Sequence, residues 1–278
     1  MRAGWRDLSS MLDGIKLSHH ASAGDRPVLL VHGIGPGTTG VANFGPILGA
    51  LSRDRAVHVI DLAGFGQSGR IPEPPFFDVA FWMAQIDQAI GIVTALHGCA
   101  PLLVGNSIGG ALALKLAALR PALRQVVAIG APVGIPAQPA LRAFWQAPRD
   151  AASLAEAMRP MTGAAVLPDP SLVTARLAPF LEPAYAAYFN AMLADPDACL
   201  AAITLQPEEA SRIQAHVTLM HGREDRAAPA EATMAHLLPI LPRADLILLG
   251  ACGHNVISER RMGVLALLAR LAKEADQS

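Results

Sequence analysis

Gly105-Asn-Ser-Ile-Gly-Gly110 is the segment of this chain that indicates its fold most clearly. It follows a short apolar run, Pro101-Leu-Leu-Val104, and precedes an alanine- and leucine-rich segment typical of a helix. A strand, a glycine-flanked serine and a helix in this order describe a nucleophile elbow, in which the serine backbone is strained. Gly105 and Gly109 are the small residues that such a tight turn requires. The motif alone leaves open a plain glycine-rich turn with a spectator Ser107.

Apolar, β-branched runs alternate with longer helical patterns along most of the chain. The predicted strands are Gly14–Ser18, Val28–His32, Ala56–Ile60, Leu102–Gly105, Gln125–Ile129, Val217–His221 and Asp245–Leu249. The predicted helices include Val79–Leu96, Ile108–Leu119, Pro229–Leu238 and Glu259–Lys273. Strands that end in glycine turns and are separated by helices predict an α/β fold with a mostly parallel, doubly wound sheet. In such a sheet the functional site lies outside the carboxyl ends of the strands.

Residues 132–209 break this alternation. They contain no convincing strand, are rich in alanine and proline, and carry helical patterns at Ala151–Met158, Leu172–Ala178 and Ala184–Ala194. A helical cap inserted over the carboxyl edge of the sheet explains the segment better than a long structureless loop. We therefore predict a core domain of residues 1–131 and 210–278 and a cap domain of residues 132–209.

A serine hydroxyl needs a base to remove its proton, and the base needs an acid to fix its tautomer. In this fold the expected order is serine, acid, histidine, each just after a strand. Asp225 follows the strand in Leu219-Met-His-Gly-Arg-Glu-Asp225, where Glu224 is a competitor that we expect to face solvent. His254 follows the strand in Leu249-Gly-Ala-Cys-Gly-His254. The sequence therefore predicts a triad of Ser107, Asp225 and His254.

A developing oxyanion needs preorganised N–H donors. The glycine-rich loop His32-Gly-Ile-Gly-Pro-Gly37 follows a strand and turns its backbone toward the serine, so we expect the N–H groups of Ile34 and Ile108 to be the donors. A phosphate-binding loop is the rival interpretation, but the lysine-serine/threonine ending is absent. His32 is expected to brace the loop, and the turn that begins at Asp61 is expected to be structural.

Composition limits the classes of partner. The net charge of −1 without a basic cluster argues against nucleic acid or an anionic membrane as partner, and the mean hydropathy of +0.36 suits a well-buried globular protein. We read no apolar run of the roughly 20 residues that span a bilayer, and no export signal at the N-terminus, so we expect a cytoplasmic protein. Cys99, Cys199 and Cys252 fit neither a zinc pattern nor a disulfide framework, and are expected to be buried.

These residues together resemble the α/β-hydrolase family over nearly the whole chain. The loop His32-Gly-Ile-Gly-Pro-Gly37, followed by Val41-Ala-Asn43-Phe44, and the elbow with its Asn106 are similar to those of the meta-cleavage-product hydrolases. Those enzymes break a carbon–carbon bond in 2-hydroxy-6-oxohexa-2,4-dienoates, the products of ring-opened catechols. The resemblance implies a small-molecule substrate with no cofactor and no metal. Relatives of this kind commonly assemble, so a homodimer is possible.

The resemblance also implies residues that bind the carboxylate end of such a substrate through amide and guanidinium groups. Gly33, Asn43 and Asn106 stand where the family places substrate contacts, and Arg176 is the best match to the arginine that the family places in the cap. Three other cap arginines, Arg142, Arg149 and Arg159, are the remaining candidates for that role, and a surface ion pair is an equal alternative for each of them.

The chain departs from the family at Asn255, where the family usually has tryptophan after the catalytic histidine. This substitution changes the expected shape of the acyl side of the pocket. The aromatic content of 5% also favours an aliphatic substituent over a biaryl. A carboxylesterase or lactonase with the same triad is therefore the alternative function. A non-catalytic, receptor-like member of the fold is a third interpretation, against which the intact triad weighs.

Overall fold

A computed structural model describes residues 5–163 and 168–275 of the chain. Within these ranges, eight strands form one sheet in the order β1-β4-β6-β5-β7-β8-β9-β10, and β2 pairs with β3 in a separate hairpin. The strands are β1 (Trp5–Asp7), β2 (Ser10–Leu12), β3 (Ile15–Leu17), β4 (His19–Ser22), β5 (Val28–Val31), β6 (Val57–Ile60), β7 (Leu102–Asn106), β8 (Gln125–Ile129), β9 (His216–Gly222) and β10 (Asp245–Leu249). Along the sheet, the neighbouring strands in the run β6-β5-β7-β8-β9-β10 are all parallel.

The central strands are apolar because both faces of the sheet are covered by helices. Along β5, Val28 and Leu30 belong to one apolar cluster, and Leu29 and Val31 belong to the other. All four residues are fully buried. The parallel α/β fold predicted from the alternation is therefore confirmed, with the carboxyl ends of β5, β7, β8, β9 and β10 at one edge.

Helices connect the strands and build the cap. In the core, the helices are α1 (Gly40–Leu51), α2 (Val79–His97), α3 (Ile108–Leu119), α10 (Ala230–Ile240), α11 (Val256–Glu259) and α12 (Arg261–Ala275). Between β8 and β9 lie α4 (Pro139–Phe144), α5 (Ala151–Met158), α6 (Pro170–Leu177), α7 (Pro183–Met192), α8 (Pro196–Ile203) and α9 (Pro207–Ala210), with short 3-10 helices at Arg159–Met161 and Ala178–Leu181. The described part of residues 132–209 contains no strand, as predicted.

The N-terminal region differs from the sequence-based prediction. The predicted strand Gly14–Ser18 is shorter, β3, and pairs only with β2 outside the main sheet. The strand that enters the main sheet is β4, which pairs antiparallel with β6 and with β1. These short strands carry histidine and serine, so the apolar pattern that marks the central strands is missing from them.

Three helices also differ from expectation. Helix α1 was missed because Gly45 and Pro46 lower helix propensity, although Thr39 caps its first turn. The predicted helix Glu259–Lys273 corresponds to α12, which begins two residues later, and the short helix α11 that precedes it was not predicted. Helix α2 has 19 residues and is, by length and composition, apolar enough to cross a membrane, contrary to our interpretation of the sequence. One face of it, including Trp82 and Ile86, is packed in the core.

The predicted cap is fastened to the predicted core at several described contacts. Tyr185 of α7 donates its hydroxyl to the Gly64 carbonyl at 3.2 Å, and Arg70 forms a two-oxygen ion pair with Glu182. At the other end, Lys115 of α3 binds the Glu209 carboxylate at 2.7 and 2.8 Å. These contacts hold the helical segment over the carboxyl edge of the sheet. Residues 164–167 of the predicted cap, and the predicted core termini 1–4 and 276–278, lie outside the described residues.

Candidate active site

The elbow has the strained geometry that the sequence predicts. Ser107 stands between β7 and α3 with φ 53° and ψ −121°, a left-handed backbone conformation that is costly for a residue with a side chain. A Cβ on Gly105 would overlap the Gly109 carbonyl, and a Cβ on Gly109 would overlap the Val31 carbonyl on β5. Both glycines are therefore required by close backbone approach.

The three predicted triad residues meet at the carboxyl edge of the sheet. His254 Nε2 lies 2.9 Å from Ser107 Oγ, and His254 Nδ1 lies 2.7 Å from Asp225 Oδ2. All three side chains are buried, whereas Glu224 is exposed, as expected for the competitor that faces solvent. The Asp225 Oδ1 atom accepts hydrogen bonds from the N–H groups of Ala227 and Ala228 at 2.9 and 2.8 Å. The arrangement can remove a proton from Ser107 and stabilise the resulting imidazolium.

The pKa shifts of Asp225 and His254 suit the removal of a proton from Ser107. Burial by itself raises the pKa of Asp225, but the charge of His254 and hydrogen bonds from His221 and His254 outweigh it and hold that pKa well below its usual range. Burial lowers the pKa of His254, but the charge and hydrogen bond of Asp225 and the charge of Glu259 produce a net rise above 6.5. The acid therefore stays ionised while His254 can accept a proton.

The loop after β5 lies against the serine. A Cβ on Gly33 would be 2.7 Å from the Ser107 Cβ, so only glycine fits. His32 Nε2 accepts the Leu62 N–H at 2.9 Å, which leaves its Nδ1–H to donate to the Gly33 carbonyl at 2.7 Å. Because the N–H of a trans peptide points opposite its carbonyl, His32 orients the Ile34 N–H. His32 therefore braces the loop, as predicted.

A small cavity of about 70 Å³ lies between the predicted core and the predicted cap, against Asn106, the residue that precedes the serine. Its polar walls are Asn43, Asn106, Arg176, Asn255 and Ser258. Asn43 Oδ1 accepts hydrogen bonds from the Gly33 N–H at 3.3 Å and from Asn106 Nδ2 at 3.1 Å. Among the described residues, the buried Asn106 Oδ1 and Arg176 Nε have no hydrogen-bond partner. The cavity can thus receive a ligand with both a negative and a donor group.

The structure separates Arg176 from the other candidate arginines. Arg176 is only 9% exposed, and burial lowers its pKa to about 10, so it remains cationic at neutral pH. Its guanidinium lies 6.0 Å from the centre of the Phe144 ring. The alternatives Arg142, Arg149 and Arg159 are exposed or half-exposed. Arg142 pairs with Asp197 and Arg159 with Glu156, as surface residues do.

Similarity to known proteins agrees with this geometry. The sequence profile described as "Alpha/beta hydrolase family" matches residues 28–267. The chain belongs to the alpha/beta hydrolase family. It is 32% identical over 266 residues to the 2-hydroxymuconate semialdehyde hydrolase of Pseudomonas sp. strain CF600, with 95% of this chain and 92% of the relative covered.

Two further relatives have similar names. The 2-hydroxy-6-oxo-2,4-heptadienoate hydrolase of Pseudomonas putida strain F1 is 31% identical, with 92% of each chain covered. A solved structure of a meta-cleavage product hydrolase from Pseudomonas fluorescens IP01, a serine-to-alanine mutant complexed with acetates, has a TM-score of 0.86 and 27% identity. It covers 96% of this chain and 97% of its own. This hydrolase therefore resembles the meta-cleavage product hydrolases in sequence and in fold.

Three residues of this hydrolase make contacts near the site that were missed from its sequence. Glu259 accepts hydrogen bonds from the N–H groups of Gly253, next to the histidine, and of Gly163, in the cap. Trp145 donates to the Ile34 carbonyl at 3.2 Å, and His221 lies beside Asp225. The sequence indicates a role for His221 only weakly, because this residue ends a predicted strand four residues before Asp225. Nothing in the sequence indicates the Trp145 contact or the contact between Glu259 and Gly163, because these partners are distant in sequence.

Proposed function

We propose that this hydrolase uses Ser107, His254 and Asp225 to cleave a carbon–carbon bond in a 2-hydroxy-6-oxo-2,4-dienoate of aromatic catabolism. The observation that carries the proposal is the Ser107–His254 hydrogen bond next to a cavity that is walled by buried Arg176 and by Asn106, the residue before the serine; among the described residues, Arg176 Nε and Asn106 Oδ1 have no hydrogen-bond partner. The buried guanidinium charge of Arg176 lowers the stability of the fold unless a ligand compensates it. The printed activities of the curated relatives support the same substrate class.

The cavity matches the polar end of such a substrate. A carboxylate accepts from Arg176, and the 2-hydroxyl of the dienol donates to the free Asn106 Oδ1. Asn106 presents that oxygen to the ligand because its amide nitrogen is held by Asn43. We propose Gly33, Asn43, Asn106 and Arg176 as the substrate-binding residues on this basis.

The reaction then proceeds from the dienol to its keto form, with His254 helping to move the enol proton to C5. Ser107 attacks the C6 carbonyl and gives its proton to His254, while the N–H groups of Ile34 and Ile108 receive the oxyanion. The C5–C6 bond breaks, its electron pair is delocalised onto the 2-oxo group, and His254 gives the proton that it took from Ser107 to the departing dienolate. Water hydrolyses the acyl-serine. A water activated by His254 is the alternative nucleophile; the elbow geometry favours the serine.

We further propose that residues 132–209 act as the cap domain and residues 1–131 and 210–278 as the core domain. The cap contributes Arg176 and Met158 to the cavity wall, and the core contributes the triad and both asparagines. Trp145 adds a cap contact to the oxyanion loop. A cap placed in this way excludes water from the reacting atoms.

The test compares two substrates. The protein is incubated with a yellow 2-hydroxy-6-oxo-dienoate and, separately, with a p-nitrophenyl ester. We expect bleaching of the dienoate with release of a carboxylic acid, and a loss of at least about 10⁴-fold in kcat in Ser107→Ala. Exposed Ser211 gives the matched control, because Ser211→Ala should leave both rates unchanged.

Rapid ester turnover with an unchanged dienoate would instead show a carboxylesterase or lactonase. Ligand-induced thermal stabilisation without turnover of either substrate would show a receptor-like protein. Either result overturns the proposed carbon–carbon cleavage.

A further inference from the structure

A second histidine lies against the acid of the candidate triad. His221, near the end of β9, is only 1% exposed. Its Nε2 atom is 2.7 Å from the Ala228 carbonyl oxygen and 3.1 Å from Asp225 Oδ2. A carbonyl oxygen accepts hydrogen bonds and does not donate them, so Nε2 of His221 must carry a proton. The positive end of that N–H therefore also faces the carboxylate oxygen that binds His254.

His221 also closes the loop that holds the acid. Asp225 Oδ1 accepts the N–H groups of Ala227 and Ala228, and the carbonyl of the same Ala228 accepts from His221. The loop is thus tied to the strand through His221 and to the carboxylate through its own N–H groups. A side-chain rotation of Asp225 would break contacts on both of its oxygens.

We propose that His221 is a positioning residue of the triad, which holds Asp225 Oδ2 in line with His254 Nδ1 and limits how much negative charge that oxygen presents to the imidazole. This inference rests on the proposed triad, and it assigns a role to a buried polar side chain that the reaction described above does not use.

Removal of the His221 N–H donor should move the acid-side midpoint of the pH profile in one direction, toward higher pH. A donor beside Oδ2 draws negative charge away from His254, so its removal lets the carboxylate hold the imidazolium more strongly and raises the pKa of His254. The other ionisable groups near the pair are Glu259, which also raises the pKa of His254, and the Cys252 thiol, whose pKa burial raises to about 12. The neighbouring side chains of Arg223, Glu224 and Arg226 are exposed.

The experiment measures the rate at which a fluorophosphonate labels Ser107 as a function of pH. This probe needs an activated serine and no particular substrate, so its result is independent of whether the dienoate is the true substrate. His221→Met removes the N–H donor, whereas His221→Gln keeps an N–H near the Nε2 position. His216→Gln is the control, because His216 lies on the same strand at its half-exposed opposite end and pairs with Asp245.

We expect His221→Met to slow labelling by about tenfold at pH 7 and to move the acid-side midpoint to higher pH by about half a unit. His221→Gln should restore most of the rate and the original midpoint, and His216→Gln should match the wild type. If His221→Met does not fold, His221→Asn, whose amide is too short to reach Ala228, replaces it with the same expected result.

Three outcomes overturn the proposal. One is an unchanged rate of fluorophosphonate labelling in His221→Met. Another is a rate that falls equally at all pH values with an unmoved or lowered midpoint, which is what a purely structural histidine would give. The third is a failure of His221→Gln to restore the midpoint.

Discussion

The candidate triad and the cavity walled by Arg176 adjoin at Ser107 and Asn106. The polar atoms of these two regions are nevertheless hydrogen-bonded to very different degrees. In the triad, both carboxylate oxygens of Asp225 have two polar hydrogens nearby, and both ring nitrogens of His254 have partners. In the cavity, Asn106 Oδ1 and Arg176 Nε are buried without a partner among the described residues.

The two regions therefore depend on substrate to different degrees. The triad is complete before substrate arrives, so little reorganisation is needed when charge develops on the serine. The cavity instead keeps unpaired polar atoms that a ligand can satisfy, at a cost in folding stability of about 1–3 kcal/mol for each such group. Substitutions in the two regions should therefore have opposite effects on stability.

The largest expected effect lies in the paired region. Asp225→Asn replaces an acceptor oxygen by an amide that favours the wrong tautomer of His254, so we expect kcat to fall by about 10⁴-fold. The variant should also be less stable, because the His254 charge loses its partner. Glu224→Gln, at the exposed adjacent position, is the control and should change neither activity nor melting temperature. Comparable losses in both variants would mean that the acid is misassigned.

A smaller effect, of opposite sign in stability, is expected in the cavity. Arg176→Met removes a buried charge with little change of volume, so the free energy of unfolding should rise by about 1–2 kcal/mol. The KM for the anionic dienoate should rise by about 10- to 100-fold with the loss of a charged hydrogen bond, while the KM for a neutral ester stays the same. Steady-state kinetics and thermal melts measure the two effects.

Arg142→Met is the matched control, since Arg142 is an exposed cap arginine paired with Asp197. It should affect neither KM nor stability by more than about 0.5 kcal/mol. The role of Arg176 in carboxylate binding is wrong if its loss harms the neutral ester as much as the dienoate.

The smallest effect concerns pH. Because the pKa of His254 is raised, kcat/KM should fall on the acid side with a midpoint above pH 6.5. The stability that the raised pKa of His254 contributes is present below pH 6.5 and is lost as pH rises through the native pKa, in the opposite direction to activity, whereas the contribution from the lowered pKa of Asp225 is lost in strong acid. Glu259→Gln should lower the kinetic midpoint by a few tenths of a unit, since Glu259 raises this pKa. A midpoint unmoved in Glu259→Gln would exclude Glu259 as a cause.

Part of this site was predictable from sequence because its geometry depends on local chain features. The elbow at Ser107 depends on neighbouring glycines, and the order of Asp225 and His254 follows from which strands end where. The central strands were predictable for the same reason: a strand buried on both faces must be a continuous apolar run.

Other features depend on contacts that no local pattern reveals. Arg176 was the best match by position, but three other cap arginines remained candidates, and only its packing against Phe144 and the cavity distinguishes it from them. Helix α1 forms despite Gly45 and Pro46 because its apolar face packs in the core. The exposed Cys99 contradicts the expectation of three buried cysteines, since a residue just beyond a helix end can be apolar and still face solvent.

A crystal structure of the Ser107→Ala variant with a 2-hydroxy-6-oxo-dienoate bound would show whether the triad and the cavity at Arg176 act on one substrate. We expect the ligand carboxylate within hydrogen-bond distance of Arg176, the 2-hydroxyl on Asn106 Oδ1, and the C6 carbonyl oxygen near the Ile34 and Ile108 N–H groups. A ligand bound with its carboxylate away from Arg176, leaving Arg176 Nε and Asn106 Oδ1 still without partners, would contradict this expectation.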